Sequence, residues 1–326
     1  ALMANLKVVV TDYVFESFDL ERGVLASVPA DLVVLQASSA SELIPHIDGV
    51  HALLNTYLPG MDATVFDAAP ELRAVVRYGI GLDTIDVPAA TERGIMVANV
   101  PDYCVDEVAD HALAHFLNLA RKISLADGRV KKGEWSLGYV KPLVGIADMT
   151  VGVIGFGRIG RAIASRLKPF GAGVVFHDPM VSETQDGCEA VSLEQIYTDC
   201  DAIFVQCPAV PETHHLLNRE AFEAMAKRPI LVNAARGSIV DTDAVVWALE
   251  NDLIAGAGLD VLEDEHAVLE TDHPLKAFEN VTLTPHSAWY SAAAIRKLQQ
   301  KAAEEVARAL RGERPLSLAN PEVLEK

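Results

Sequence analysis

The sequence predicts an α/β protein of two domains, each a doubly wound parallel sheet. Its 326 residues are too many for one ordinary core and suit two lobes of this kind. Short β-branched segments alternate with amphipathic ones in two successive series, and this rhythm is typical of βαβ units. With 50% hydrophobic and 22% charged residues, the chain can bury a sizeable core.

Short apolar segments predict the strands of the first domain: LKVVV, DLVVLQ, HALLN, LRAVVRYG and GIMVANVP. Pro101 then breaks the pattern, and residues Asp106 to Ile123 carry apolar side chains at helical spacing. We therefore expect the first lobe to end near Asn99 and a helix to follow it.

A second series of apolar segments predicts the second sheet: TVGVIGFG, VVFHD, DAIFVQC, PILVNAARG, IAGAGLDV and VTLTPH. A long helix is expected from Ser291 to Arg311. The sequence thus predicts a discontinuous first domain, residues 1–99 with 291–326, and a second domain over residues 100–290.

The charge balance and the cysteines narrow the class of protein. A net charge of −19 argues against broad contact with nucleic acid or an anionic membrane, because such contacts need a positive field. No apolar segment approaches the roughly 20 residues of a membrane span. We expect a cytoplasmic protein with free thiols, because no CxxC pair occurs among Cys104, Cys188, Cys200 and Cys207.

The segment GFGRIG is a GxGxxG motif that follows a predicted strand and opens a predicted helix. Such a loop offers backbone N–H groups at a helix N-terminus to the pyrophosphate of a dinucleotide. Gly155 would make the turn, Gly157 would admit the phosphates, and Gly160 would let helix and strand pack closely. The predicted cofactor-binding residues of this loop are Gly155, Gly157, Arg158, Ile159 and Gly160.

The next predicted strand ends at Asp178, close to the distance of about 20 residues expected for an acid that holds ribose hydroxyls. A carboxylate there repels the 2′-phosphate of NADP, and residues Pro179 to Ser182 include no Arg or Lys. We therefore predict a Rossmann domain that binds NAD. The alternative is a strand end and turn glycines without a ligand.

Three polar residues follow later strands of the second domain: Arg236, Glu265 and His286. Because open α/β sheets bind ligands at the carboxyl ends of their strands, we expect them to converge. His286 suits the acid that protonates a carbonyl oxygen as hydride arrives, Glu265 its orienting carboxylate, and Arg236 the substrate-binding cation. Taken singly, they have simpler explanations: a surface histidine, a solvated acidic loop and a strand-ending arginine.

The segments LVNAARGSIVD, GAGLDVLEDE and TPHSAWYS resemble, in order, the Arg, Glu and His motifs of the D-isomer-specific 2-hydroxyacid dehydrogenases. The likeness runs through nearly the whole chain. It implies NAD-dependent interconversion of a small 2-oxo acid and its D-2-hydroxy acid, in a cleft between a Rossmann domain and a smaller flavodoxin-like substrate domain. It also implies that Asp260 contacts the nicotinamide carboxamide and that the protein is a homodimer.

The segments VRYGIGLDTID, HHLLN and HSAWYS resemble in particular the C-terminal binding protein (CtBP)-like subgroup. That likeness implies that Arg77 contacts the substrate carboxylate and that backbone N–H groups around Gly79, Ile80 and Gly81 cradle it. It also implies that Trp289 lines the substrate pocket; packing between the lobes is the alternative for this indole.

Two other functions stay open at this point. A non-enzymatic NAD(H)-sensing interaction protein is suggested by the CtBP likeness, but the intact Arg, Glu and His set argues against it. A phosphoglycerate dehydrogenase is disfavoured because no cluster of Lys and Arg near the glycine loop offers to hold a second anion.

The loop after the predicted catalytic carboxylate departs from the family pattern. Leu262 replaces the usual aromatic residue, and Glu265 is followed by His266 where the family usually has proline. The assignment of Glu265 depends on its spacing from Asp260. His266 and His273 are either solvated or in contact with substrate.

Two pairs of histidines lie outside this assignment. His111 and His115 are spaced i,i+4 but lack the glutamate of an HExxH motif, so we predict no metal site. The family resemblance places their helix near a dimer interface. His214 and His215 lie in a segment that resembles the subgroup near the cofactor, and their role stays open.

Overall fold

The structure is a computed structural model and describes residues 5–267 and 272–325. The chain divides into two compact units, Ala1–Tyr103 with Ser291–Lys326, and Cys104–Tyr290. We call them the first and the second unit. The functional roles expected for the two predicted domains stay predictions at this point.

The first unit contains a parallel sheet whose strands are β1 Leu6–Val10, β2 Ala30–Val34, β3 Ala52–Asn55, β4 Ala74–Arg77 and β5 Met96–Ala98. Among the described residues the strand order is β2-β1-β3-β4-β5, which is the flavodoxin-like order. Strands β3 and β4 are buried along their whole length, whereas the edge strand β2 alternates between half-buried and exposed residues. The predicted strands and the flavodoxin-like fold are confirmed.

The helices of the first unit are α1 Asp19–Leu25, α2 Ala40–Leu43, α3 Ala63–Asp67, α4 Val87–Glu92 and α11 Ala292–Leu310. Side chains at Ser39, Asp62, Asp86 and Ser291 accept backbone N–H bonds at the starts of α2, α3, α4 and α11. Helix α11 packs on α1 and β4. The C-terminal helix therefore belongs to the first unit. Leu298, Ala302 and Val306, each four residues from the next, form its buried face.

A buried carboxylate organises one end of this sheet. Asp12 follows β1 and is only 6% exposed. Its Oδ1 accepts the N–H of Thr56 at 2.7 Å, and its Oδ2 accepts those of Tyr57 and Leu58 at 2.7 and 2.9 Å. The loop after β3 is thus built around a side chain from the neighbouring strand.

The second unit contains a parallel sheet with strands β6 Thr150–Ile154, β7 Gly173–His177, β8 Glu189–Ala190, β9 Ala202–Val205, β10 Ile230–Asn233, β11 Gly256–Leu259 and β12 Val281–Leu283. Their order in the described chain is β12-β11-β10-β9-β6-β7-β8. This is the doubly wound dinucleotide order, with its switch point between β6 and β9. The predicted Rossmann-type fold is confirmed, and β8 is an addition that its two residues could not signal.

The helices of the second unit are α5 Val105–Arg121, α6 Ile123–Lys131, α7 Arg158–Leu167, α8 Leu193–Asp199, α9 Arg219–Glu223 and α10 Thr242–Glu250. Helix α5 packs on β10, β11 and α7. It ends at Arg121, because the left-handed backbone of Lys122, with φ of 52°, separates it from the next helix at Ile123. Along β9, Ile203 and Phe204 point into separate cores on opposite faces of the sheet.

Short 3-10 helices complete the described secondary structure at Ile44–His46, Leu137–Tyr139, Ile146–Asp148, Lys168–Phe170, Pro211–Thr213, Gly237–Ile239, Pro274–Ala277 and Pro321–Glu325. Within the residues described, no helix has both the length and the apolar surface to cross a bilayer.

All four cysteines are free and buried. Burial raises the pKa of the Cys200 thiol to about 12 and that of Cys207 to about 11, so both are protonated and unreactive near neutral pH. The cytoplasmic location expected from the cysteines stays a prediction.

Replacing Asp12 by Ala removes the acceptor of three backbone N–H groups. We expect Asp12→Ala to destabilise the first unit by about 3 kcal/mol, because buried donors without partners are costly. Hydrogen exchange should show lost protection at the amides of Thr56, Tyr57 and Leu58. The exposed Asp48→Ala change serves as control, and equal protection in both variants would contradict this account.

Candidate active site

The loop between β6 and α7 has a separate reason for each motif glycine. Gly155 has φ of +92°, and a Cβ there would lie 2.5 Å from the backbone nitrogen of Cys207. A Cβ on Gly160 would lie 2.2 Å from the carbonyl oxygen of Gly155. A Cβ on Gly157 would meet nothing within 4 Å, so the helix N-terminus is open there. This arrangement fits a pyrophosphate at the start of α7.

Asp178 directly follows β7 and connects to the same loop. Its Oδ2 accepts the N–H of Phe156 at 2.8 Å, and its Oδ1 accepts that of Met180 at 2.8 Å. A carboxylate has about four acceptor sites, so these bonds leave capacity for a pair of ribose hydroxyls. The chain therefore fits NAD at both the phosphates and the ribose.

The residues expected to act on substrate follow adjacent strands of one sheet. Arg236 comes after β10, Glu265 after β11 and His286 after β12, and parallel neighbours end at the same edge. A Cβ on Gly237 would lie 2.0 Å from the carbonyl carbon of Leu262. The backbone of the turn that follows Arg236 therefore lies directly against the backbone at Leu262, in the segment that leads to Glu265.

His286 and Glu265 form the predicted pair. Nδ1 of His286 lies 3.0 Å from Oε1 of Glu265, with the imidazole 24% and the carboxylate 44% exposed. His286 has φ of 51°, a left-handed conformation that costs about 1 kcal/mol or more for a residue with a side chain. Its N–H donates to the carbonyl oxygen of Asp260 at 2.9 Å, which holds the residue in that conformation.

Asp260 is 2% exposed and holds the turn that carries the histidine. Its Oδ1 accepts the hydroxyl of Thr284 at 2.6 Å and the N–H of Ser287 at 2.9 Å. Its Oδ2 accepts the N–H of Ala288 at 3.0 Å. The contact of Asp260 with a nicotinamide carboxamide stays a prediction.

Sequence reasoning missed a polar network beneath this turn. Nε2 of His111 and Nε2 of His115, both on α5, lie 2.9 and 3.0 Å from the Thr284 hydroxyl oxygen. Since that hydroxyl donates to Asp260, its oxygen accepts from both rings. Nδ1 of His115 lies 2.6 Å from the hydroxyl of Thr282. The i,i+4 spacing of the histidines was the available signal, but it did not reveal the threonine partners.

Burial sets the charge of one member of this network. It lowers the pKa of His115 to about 4, with the nearby His111 adding to the effect, and Asp260 acts in the opposite direction. His115 is therefore neutral near pH 7 and serves as a hydrogen-bonding group. Helix α5 approaches β11 closely here, because a Cβ on Gly258 would lie 2.6 Å from Cβ of His115.

The side chain of Trp289 is hydrogen bonded to the backbone of His286, the predicted acid. The indole Nε1 donates to the carbonyl oxygen of His286 at 2.9 Å. The ring of Tyr290 meets it edge to face, with centroids 5.9 Å apart. The indole thus stands next to the histidine, and its contact with substrate stays a prediction.

A family model described as "D-isomer specific 2-hydroxyacid dehydrogenase, NAD binding domain" matches residues 113–288. The chain belongs to the D-isomer-specific 2-hydroxyacid dehydrogenases. It is an NAD-dependent oxidoreductase, and the predicted family, enzyme class and cofactor are confirmed.

Individual relatives agree with the family assignment. A glyoxylate reductase of Korarchaeum cryptofilum is 37% identical over 292 residues, covering 88% of this chain and 87% of that protein. A D-lactate dehydrogenase from Aquifex aeolicus, solved with NAD and lactic acid, has a TM-score of 0.85 and 27% identity over 94% of this chain and 96% of that one. An NADPH-dependent glyoxylate/hydroxypyruvate reductase from Sinorhizobium meliloti has a TM-score of 0.85 and 30% identity over 98% of both chains.

The subgroup expectation is not supported in the same way. These relatives carry the names of reductases and dehydrogenases, which supports the family and not specifically the CtBP-like subgroup. The family assignment does not depend on the subgroup resemblance of VRYGIGLDTID, HHLLN and HSAWYS.

The first unit of the dehydrogenase holds Arg77 against a glycine. Arg77 is 5% exposed, its Nη1 donates to the carbonyl oxygen of Tyr78 at 2.8 Å, and its guanidinium lies over the ring of Tyr57. A Cβ on Gly79 would lie 1.3 Å from that Nη1. Only glycine therefore fits at position 79 with the arginine in this position.

The N–H groups of this loop differ in direction. That of Gly79 donates to the carbonyl oxygen of Arg77 at 2.9 Å, within the turn itself. The carbonyls of Gly79 and Ile80 accept from Val100 N–H at 2.9 Å and Asn99 Nδ2 at 2.6 Å. Because a trans peptide points its N–H opposite to its C=O, the N–H groups of Ile80 and Gly81 face away from those partners.

Where the family usually has proline after the catalytic glutamate, this chain has His266, and the side chain of Asp264 holds the turn. Oδ1 of Asp264 accepts the N–H groups of His266 and Ala267, each at 3.0 Å. Proline at position 266 has no N–H to donate, so here an Asp side chain fixes the turn after Glu265 instead. His273 accepts the N–H of Leu275 through Nδ1 at 3.3 Å and caps a 3-10 helix.

Alanine substitutions at two glycines of the cofactor loop should have different effects, one on NADH binding and the other on stability. Gly157→Ala places a methyl group in open space, so the melting temperature should hold while NADH affinity falls about tenfold or more, since the phosphates lose their approach. Gly160→Ala should destabilise the second unit by about 1–3 kcal/mol through overlap with Gly155. Fluorescence titration with NADH and thermal unfolding separate the two effects, and equal effects of both changes would contradict these assignments.

Proposed function

We propose that this dehydrogenase reduces a small 2-oxo acid to its D-2-hydroxy acid with NADH and catalyses the reverse oxidation. The observation that carries the proposal is the contact between His286 and Glu265 at 3.0 Å, at the sheet edge where the Arg236 turn also lies. The NAD-binding family and relatives named glyoxylate reductase support it. Glyoxylate and hydroxypyruvate are therefore the first substrates to consider.

His286 acts as the acid in the reduction. When bound, NADH supplies the hydride that reaches the carbonyl carbon of the substrate. With Nδ1 directed at Glu265, the proton to be delivered sits on Nε2 of His286. Nε2 gives this proton to the carbonyl oxygen as negative charge develops there, and takes it back from the hydroxyl in the oxidation.

Glu265 and Arg236 prepare that step. The carboxylate of Glu265, 3.0 Å from Nδ1 of His286, fixes the orientation of the imidazole and leaves Nε2 as the ring nitrogen that meets the substrate. The guanidinium of Arg236 binds the carbonyl oxygen and the adjoining carboxylate, because its planar fork matches two oxygens at once. Arg236 is half-buried, and its carbonyl oxygen accepts from Asn233 Nδ2 at 2.9 Å, which restrains its backbone.

The remaining predicted residues recognise the rest of the substrate. We assign the substrate carboxylate to Arg77 and to the N–H groups of Ile80 and Gly81, whose peptides point away from the segment at Asn99. Gly79 contributes through its shape, since it makes room for the arginine. Trp289 is assigned the wall against the substrate side chain.

The test is NADH consumption against glyoxylate, pyruvate, hydroxypyruvate and longer aliphatic and thioether 2-oxo acids. We expect turnover on a short acid, with NADH preferred to NADPH because Asp178 repels a 2′-phosphate. His286→Ala should lower kcat by about 100-fold to 10,000-fold, while NADH still binds.

His266→Ala is the matched control, because His266 is exposed, directly follows Glu265 in the sequence and uses its backbone N–H, which the substitution keeps, to bond Asp264. Its activity should be unchanged. Loss of turnover in this control would instead assign His266 to the substrate. No turnover on any acid with tight NADH binding would favour the non-enzymatic NAD(H)-sensing alternative, which the relatives do not support.

We also propose that the enzyme is a homodimer paired through the segment that begins at α6. Helix α6 buries none of its residues. Large apolar side chains are exposed along this stretch, namely Ile123, Val130, Trp135, Leu137 and Val144. Such a patch on a folded unit is typical of a subunit interface.

Light scattering should give the wild type a mass twice the 35.1 kDa of the chain. Trp135→Glu, which changes an indole that is 88% exposed, should shift the mass to that of the monomer. Met180→Glu changes a side chain that is 89% exposed elsewhere in the second unit and should leave the mass unchanged. A monomeric wild type would contradict the proposal.

A further inference from the structure

Three side chains with metal-ligating atoms meet outside the proposed catalytic set. Among the described residues, His214, His215 and Glu263 each offer one ligand atom, and these atoms all lie within 4.8 Å of one another. The two imidazoles are stacked, with centroids 4.0 Å apart and planes inclined by 25°. Nε2 of His215 lies 2.5 Å from Oε1 of Glu263. The proposed reaction uses none of the three.

The two segments that carry these side chains are attached to one turn. The N–H of His215 donates to the carbonyl oxygen of Ser238 at 2.9 Å, and that of Leu217 donates to Ile239 at 3.1 Å. On the other side, the backbone nitrogen of Glu263 would lie 2.5 Å from a Cβ on Gly237. The turn Gly237–Ile239 therefore fixes both segments, although Glu263 is 48 residues after His215 in the sequence.

The backbone at His215 adds to this arrangement. His215 has φ of 49°, a conformation that residues with a side chain rarely adopt. Before it, the hydroxyl of Thr213 donates to the carbonyl oxygen of Pro208 at 2.7 Å and accepts the N–H of Val210 at 2.9 Å. The turn that presents the two histidines is thus held by its own hydrogen bonds, which reduces the ordering needed for a ligand to bind.

The site is accessible and its charge suits a cation. His214 and Glu263 are exposed and His215 is half-buried, so an ion can enter from solvent. Glu263 is followed by Asp264 and Glu265, and the whole chain carries a net charge of −19. Two imidazoles and a carboxylate are the protein ligands that zinc takes in open sites, where water completes the tetrahedron.

We propose that His214, His215 and Glu263 bind one divalent transition-metal ion, with Zn²⁺ as the best chemical match. The ion replaces the hydrogen bond between His215 and Glu263 and joins their segments across the turn that follows Arg236. The sequence predicted no metal site, because adjacent histidines and a distant glutamate form no recognisable motif. The proposal does not depend on the reaction, since the three residues are outside the proposed catalytic set.

The experiment measures Zn²⁺ binding by tag-free, chelator-treated protein in competition with a chromophoric zinc indicator. The wild type should bind one equivalent at this site, and saturating Zn²⁺ should raise its melting temperature, as a ligand specific to the folded state does. His214→Ala and Glu263→Gln should each weaken binding by at least about tenfold and remove the thermal shift. His46→Ala, which removes a solvent-exposed histidine of the first unit, should bind like the wild type.

His214→Ala is the decisive variant, because it leaves the contact between His215 and Glu263 in place. If that contact is only a hydrogen bond, the variant will bind Zn²⁺ as the wild type does, and the proposal is wrong. It is also wrong if the wild type shows no binding and no thermal shift up to roughly 1 mM Zn²⁺. Thermal unfolding without metal shows whether the variants are folded, and His215→Ala provides a further ligand deletion if one of them is not.

Discussion

The turn that carries His286 depends on one buried carboxylate, that of Asp260. A charge with 2% exposure is unfavourable unless its oxygens are hydrogen bonded, and here Thr284, Ser287 and Ala288 provide the donors. Satisfying those oxygens requires the chain after β12 to fold back over the end of β11. His286 lies between the donors, and its own N–H bonds the carbonyl oxygen of Asp260. The left-handed backbone of the histidine is therefore a consequence of burying that acid.

The second constraint is close packing of the backbone at Gly237 and Gly258 against a neighbouring segment, which leaves no room for a side chain at either position. Gly258 lets His115 on α5 approach β11, which brings two imidazoles to the hydroxyl of Thr284. Gly237 lets the turn after Arg236 lie directly on the segment at Leu262. In each case a Cβ would overlap its neighbour, at 2.6 Å for Gly258 and 2.0 Å for Gly237. The carboxyl ends of the parallel strands lie at one edge of the sheet. The contacts at Gly237 and Gly258 determine how closely the neighbouring segments can pack against one another.

Local sequence patterns were sufficient to predict most of the strands and the residue types expected at the site. The apolar segments located the strands, since buried parallel strands are nearly continuous hydrophobic runs, whereas β8 has two residues and no such pattern. The spacing of the GxGxxG motif and Asp178 located the cofactor loop. The network of His111, His115 and Thr284 could not be predicted in this way, because Thr284 is 173 and 169 residues from the two histidines. The N–H of Gly79 was likewise assigned to a cradle, and only the turn geometry shows that it bonds Arg77.

The pair of His286 and Glu265 is itself partly exposed, at 24% and 44%, and a polar contact so exposed contributes little to stability. Its geometry must therefore come from what lies beneath and beside it. The carbonyl oxygen of Asp260 accepts the N–H of His286, and the indole of Trp289 donates to the carbonyl oxygen of the same histidine. Asp264 fixes the turn after Glu265, where the family usually has proline. A substitution at one of these supporting residues should disturb the orientation of the proton donor. Preorganisation of an exposed acid by buried neighbours leaves the imidazole accessible to substrate while its orientation is already determined.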